Sequence, residues 1–135
     1  VLIVHGHGVD EWARLKMPCQ IGFDNPFSFG VLKGDKLIGA AVFDNYRPAI
    51  KSVCISLAIT DKRAMTRGFL RLLANYAFIT LGANRMTAMI DEDNLSSIKI
   101  TEKVGFKLEG IMRKGSPTGN NMCIYGMLKE ECKWF

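Results

Sequence analysis

Lys62-Arg63-Ala64-Met65-Thr66-Arg67-Gly68 joins a β-rich run to a strongly amphipathic one. Amides at the start of a helix point outward without partners and carry partial positive charge, so a loop of this composition attracts phosphate. Thr66 can cap the helix, Gly68 lets a ligand approach the backbone, and Arg63 and Arg67 add charge. The same residues also read as an ordinary strand-to-helix connection with solvated basic side chains, and the segment alone leaves both readings open. Further on, Asn94 and Ser97 stand one turn apart on one helix face. Taken alone, Asn94 is a plain N-cap. The preceding Asp91-Glu92-Asp93 reads as a solvated charge run.

The elements that must position these groups alternate. Val1 to Val4 is a strand and His5-Gly-His7-Gly8 a turn. Asp10 caps a short helix through Lys16, stopped by Pro18. Phe27 to Lys33 and Leu37 to Asn45 are strands joined by the tight turn Gly34-Asp35. Asn45 to Pro48 has turn chemistry, and Ile50 to Thr60 is a central strand. Phe69, Leu70, Leu73, Ala77, Phe78 and Leu81 then recur at helical spacing up to Gly82. Arg85 to Ile90 is a strand, Asn94 to Val104 a helix ended by Gly105, and Phe106 to Met112 and Met122 to Leu128 are strands around a loop at 115–121. The order β-α-ββ-β-α-β-α-β-β is an α/β or α+β fold with a crossover near its middle.

Composition narrows the classes. The chain has 135 residues, one domain by size, with 48% hydrophobic and 23% charged residues, ordinary for a soluble protein. The longest apolar run, Gly68 to Gly82, contains Arg71 and Asn75 and is too short and polar for a membrane span of about 20 residues. No signal-peptide pattern is visible, so Cys19, Cys54, Cys123 and Cys132 read as reduced thiols and the protein as cytoplasmic. His5 and His7 lack a nearby cysteine at ligand spacing, and no metal is expected. The net charge of +5 fits an anionic partner, but the basic residues form no nucleic-acid stripe.

Two segments together, Arg63-Ala-Met-Thr66-Arg-Gly68 and Asn94-x-x-Ser97 with Lys103-x-Gly105-Phe106 and Glu109-Gly110, resemble the GCN5-related N-acetyltransferase (GNAT) superfamily. The likeness runs from Ile50 to Leu128 and is nearest to the RimJ/RimL-like branch. The compact front end resembles acetyltransferases of some phage genomes. The family's loop pattern, Gln/Arg-x-x-Gly-x-Gly/Ala, has its first Gly replaced by Thr66, which must then adopt whatever conformation Gly would.

The resemblance implies a GNAT fold, a mixed sheet of six to seven strands splayed in the middle and flanked by helices. It implies acetyl-CoA as cosubstrate and transfer to a primary amine of a protein or small molecule. Leu57, Ala58 and Ile59 would pair with pantetheine in the splay, Arg63 and the amides of Ala64, Met65, Thr66, Arg67, Gly68 and Phe69 would hold the pyrophosphate, and Asn94 would contact the pantetheine arm. Many members place a Tyr acid where this chain has Thr101, and the RimL-like alternative assigns that role to Ser97. No carboxylate stands near Cys54 to Ser56, so the base is water, Asp91 or Glu92 and is not assigned. The alternative is an acyl-CoA-binding regulatory or interaction module without turnover. Many relatives dimerise, and no residue here decides whether this chain forms a homodimer. Phe23, Phe27 and Phe29 read as core or as the wall of a substrate cleft.

Overall fold

Alternation along the central strand decides where the core lies. Val53, Ile55, Leu57 and Ile59 meet one apolar layer and Ala58 meets the other, as a strand covered on both faces requires. The computed structural model describes residues 2–17 and 22–134, the side chain of His7 apart. Its strands are β1 (Leu2–His5), β2 (Phe27–Lys33), β3 (Lys36–Arg47), β4 (Ser52–Ile59), β5 (Arg85–Asp91), β6 (Lys107–Met112) and β7 (Met122–Leu128), and its helices are α1 (His7–Lys16), α2 (Arg67–Asn75) and α3 (Leu95–Val104). They form a seven-stranded mixed sheet in the order β1-β2-β3-β4-β5-β7-β6, with the element order that the sequence predicts.

Every neighbouring pair is antiparallel except β4 and β5 at the centre. A parallel pair needs a crossover, which α2 supplies. The ladder runs only from Ser52↔Arg85 to Cys54↔Thr87. Beyond Cys54 the strands part, and Leu57–Ile59 are left without a partner on the β5 side. This is the expected splay.

Helix α2 buries Phe69, Leu70, Leu73 and Ala74, and a π turn at Tyr76–Thr80 adds Ala77 and Phe78. With Phe106 and Ile98 they fill the larger core layer; α1 covers the other face, Val9 and Ala13 packing on Ala40, Val42 and Ala58. Phe27 and Phe29 belong to the larger layer, where they pack on Tyr76 with ring centroids 4.8 and 5.3 Å apart. Phe23 packs against the α1 layer. Phe23 and Phe29 serve the core, whereas Phe27 is 40% exposed and stacks at the edge of its layer.

Two local expectations are corrected. Helix α1 begins at His7, capped by Gly6 rather than Asp10. Gly6 has φ 137°, open to glycine alone, and turns the chain from strand directly into helix. Asp10 thus sits in the first turn, where its charge favours the helix dipole. The expected stop at Pro18 lies outside the described residues, as does Cys19. Likewise β3 does not turn at Asn45 but runs on to Arg47. Asn45 takes φ 50° and absorbs extra chain as a bulge between Asp44 and Arg47 before pairing resumes at Arg47↔Ser52. Cys54, Cys123 and Cys132 are free thiols, each raised in pKa chiefly by burial.

Candidate functional site

The loop after β4 is rigid. Asp61 accepts the Arg63 amide at 2.9 Å and pairs with the Arg63 guanidinium at 2.6 Å, which holds the Asp61 carboxyl low, at about 2. The amides of Ala64, Met65 and Thr66 donate to Asp61, Lys62 and Ala64 carbonyls, and the Phe69 amide donates to Thr66 Oγ1 at 3.1 Å. Four of the six amides from Ala64 to Phe69 are therefore engaged within the chain. Arg67 and Gly68 remain, the two amides of the first α2 turn with no acceptor among the described residues. Thr66 has φ −82° and ψ 157°, ordinary extended backbone, so the position does not require glycine.

Helix α3 starts at the open end of the seam. Asn94 caps it, its Oδ1 accepting the Ser97 amide at 3.4 Å. A cleft lined by Ile55, Ser56, Leu57, Asp91, Ser97 and Thr101 continues through shared Leu57, Asn94 and Ser97 into a second hollow reaching Ile59, Thr60 and Ile100. Ile100 also lines a third, with an apolar floor of Met65, Leu70, Val104 and Trp134 and a rim of Lys62, Lys99 and Lys103. Through these shared residues the hollows run as a track from Ser97 to three ammonium groups, with Met65 and Leu70, on either side of the first α2 turn, in the outermost. Arg67 lies over the Trp134 ring at 5.9 Å.

Asp91 overturns the solvated-run reading. It is only 4% exposed. Its carboxylate accepts Ser116 Oγ at 2.6 Å, Thr118 Oγ1 at 2.5 Å, Asn120 Nδ2 at 3.2 Å and the Asp93 amide at 2.9 Å. Its carbonyl accepts the Asn94 amide. These bonds, Ser116 and Thr118 foremost, hold the carboxyl far below the ordinary aspartate range. Glu92 accepts the Asn121 amide. Asp91 is therefore a poor base, its oxygens engaged as acceptors, and Glu92 is tied to the same loop. Tyr125 offers no substitute for the Tyr missing at Thr101. Burial, together with its bond to Glu102 at 3.0 Å, pushes its hydroxyl up to about 12.

The structure thus brings Leu57, Asn94 and Ser97 to one cleft, with Ala58 and Ile59 next along the same groove. Met65 stands in the outer hollow. Ala64 and Phe69 are fully buried with their amides bonded within the chain, and Arg63 is paired with Asp61. Sequence reasoning missed Ser56, Lys99, Lys103 and Trp134. The spacing of Lys99 and Lys103 beside Ile100 and Val104 was a usable signal for the rim.

Residues 8–107 match the model of the acetyltransferase (GNAT) domain. The chain belongs to the GNAT family. The GNAT domain is 35% identical over 98 residues to "Probable N-acetyltransferase YjcK" of Bacillus subtilis (strain 168), a match covering 67% of this chain and 54% of that protein. It therefore spans about half the length of the curated relative it matches. A crystal structure named "Probable acetyltransferase" superposes with TM-score 0.67 at 26% identity, over 79% of this chain and 64% of that one. A mutant of the spermidine N-acetyltransferase SpeG from Vibrio cholerae gives TM-score 0.67 at 18% identity over 83% and 70% of the two chains, a likeness of fold. Among the described residues no helix is long and apolar enough to cross a membrane.

The GNAT loop pattern has glycine where this domain has Thr66, and the hydroxyl is used as the N-cap. Thr66→Ala is expected to lose about 1 kcal/mol of stability and Thr66→Gly only a few tenths, read from urea unfolding midpoints.

Proposed function

We propose that this GNAT domain, taken as one domain over residues 1–135, binds acetyl-CoA along the track and transfers the acetyl group to a primary amine of a protein or small molecule. The observation that carries the reading is the continuity of the track. An unpaired strand edge at Leu57–Ile59 leads through the hollows to an apolar floor rimmed with lysines, and the open amides of Arg67 and Gly68 lie in the chain between Met65 and Leu70 of that floor. An extended amide chain, a pyrophosphate and a phosphorylated adenosine need those three environments. The Asn94-x-x-Ser97 segment favours the RimJ/RimL-like branch.

Acetyl-CoA supplies the activated thioester. In this reading the β4 edge and the Asn94 side-chain amide hold the pantetheine arm, which fixes the carbonyl near Ser56 and Ser97. The amine attacks that carbon as the C–S bond breaks, Ser97 Oγ donates a proton to the departing sulfur, and the nitrogen gives up its second proton through water to restore the Ser97 hydroxyl. The ammonium proton leaves to water, because Asp91 and Glu92 already serve the loop at 116–121. A second reading, acyl-CoA binding without turnover, is favoured by buried Thr101 at the usual Tyr position.

Acetyl-CoA at about 100 times its dissociation constant is expected to add roughly 2.7 kcal/mol of stability, seen as a rise of several degrees in Tm. Dephospho-CoA, lacking the phosphate that Lys62, Lys99 and Lys103 would meet, should shift it less, and ATP least. No rise in a folded sample would sink the binding reading. A rise without CoA release on a panel of peptides, lysine and polyamines would select the second reading.

A further inference from the structure

We propose that Gly39 positions the cosubstrate loop, setting how far the start of α2 stands from the sheet; this rests on the acetyl-CoA reading above. Two contacts fix the loop to the beginning of β3. The Ile38 carbonyl accepts the Thr60 amide at 3.0 Å, the Asp61 amide at 3.2 Å and Thr60 Oγ1 at 3.1 Å. One residue on, Gly39 faces Ala64, which is fully buried. A Cβ at Gly39 would fall 2.6 Å from Ala64 Cβ and 3.0 Å from Ile59 Cδ1.

The identity of that neighbour matters. The end of a long side chain can swing aside, but Ala64 Cβ is one bond from the backbone, so relief requires the loop itself to move. The loop cannot bend at one point, because Asp61, Lys62 and Ala64 carbonyls are bonded to the amides of Ala64, Met65 and Thr66. It moves as a unit and carries with it the Thr66 cap and the amides of Arg67 and Gly68. Ile59, the second atom met, belongs to the strand edge proposed for pantetheine. A single methyl at position 39 therefore displaces the loop, whereas Ile59 Cδ1, at the end of its side chain, can turn aside. Gly39 touches no substrate; it acts through the loop.

The test compares Gly39→Ala with Gly30→Ala. Gly30 is crowded too, though by side-chain ends, Leu37 Cδ2 at 2.8 Å and Val9 Cγ1 and Cγ2 at 3.1 Å, and it packs against Val9 of α1 rather than against the loop. Acetyl-CoA affinity is measured by calorimetry well below every variant's Tm, and amide hydrogen exchange is followed in the free proteins. G39A is expected to weaken binding roughly tenfold or more, equivalent to about 1.4 kcal/mol or more, and to speed exchange at residues 61–69. G30A should lower Tm without either change, and G39A/A64G, which removes the opposing methyl, should regain affinity. If G39A does not fold, Ala64→Ser enlarges the same contact from the other side. Unchanged affinity and exchange in G39A, equal weakening in G30A, or no recovery in the double variant would each overturn the proposal. If the parent chain binds no acetyl-CoA, the cosubstrate reading falls, and the exchange pattern still decides whether Gly39 sets the loop.

Discussion

Gly68→Val is expected to weaken acetyl-CoA binding by roughly tenfold or more, at least about 1.4 kcal/mol, while melting no lower than the parent chain. The two effects separate because of where the new side chain would lie. A Cβ at Gly68 meets no heavy atom within 4 Å, so the fold has room for it. Glycine in a helix is also less stable than alanine by roughly 0.5–1 kcal/mol, so the backbone gains rather than loses from a side chain here. The open space belongs to the first turn of α2, where the free amides of Arg67 and Gly68 stand. A branched side chain fills it and keeps an anion from those donors. Gly68→Ala is the graded companion, with a gain in stability and a smaller loss of affinity. If Gly68→Val binds acetyl-CoA as tightly as the parent by calorimetry, the pyrophosphate does not sit on this helix.

Asp91→Ala is expected to lower Tm by several degrees and to make residues 116–120 the first site of proteolytic nicking. The substitution removes the shared acceptor of the Ser116 and Thr118 hydroxyls and the Asn120 amide. Thr118 and Asn120 keep bonds to Ser116 and Asp93, but the Ser116 hydroxyl is buried, and a buried donor left unmatched costs more than a bond is worth when made. Asn at this position keeps one acceptor oxygen and should lie between alanine and the parent. Acid titration tests the same network with a definite sign. The folded chain holds the Asp91 proton more weakly than the unfolded chain, so acidification favours unfolding. The contribution is complete above the ordinary aspartate value of about 4 and drains away below it. The parent should therefore lose stability in acid more steeply than Asp91→Ala. Parallel acid limbs would show that the network contributes nothing.

What the sequence discloses and what it hides follow one physical line. Helix α2 and the π turn after it were legible because apolar residues repeat at helical spacing from Phe69 to Leu81, and the β2–β3 hairpin because Gly34-Asp35 favours a tight turn between two β-rich runs. The Thr66 and Asn94 caps were legible for the same local reason, each accepting from an amide three residues on. Asp91 was not, because its partners lie 25 to 29 residues away and a triplet of acids looks the same whether solvated or clamped. Asp10 misled because it is a good cap, but Gly6 had already begun the helix. Trp134 reached the site through tertiary packing that no period encodes. The resemblance to the family suggests the chemistry, and of the six amides it names the structure leaves those of Arg67 and Gly68 without an acceptor among the described residues.

The central strands β4 and β5 share three rungs, from Ser52↔Arg85 to Cys54↔Thr87, and then separate. Mechanically the sheet is two leaves joined by a short spine at one end, with α2 and α3 lying across the join. A guest chain laid in the opening supplies the missing rungs, so it would act as a temporary strand. On the acetyl-CoA reading proposed above, release of the spent cosubstrate would be a local unzipping of those rungs.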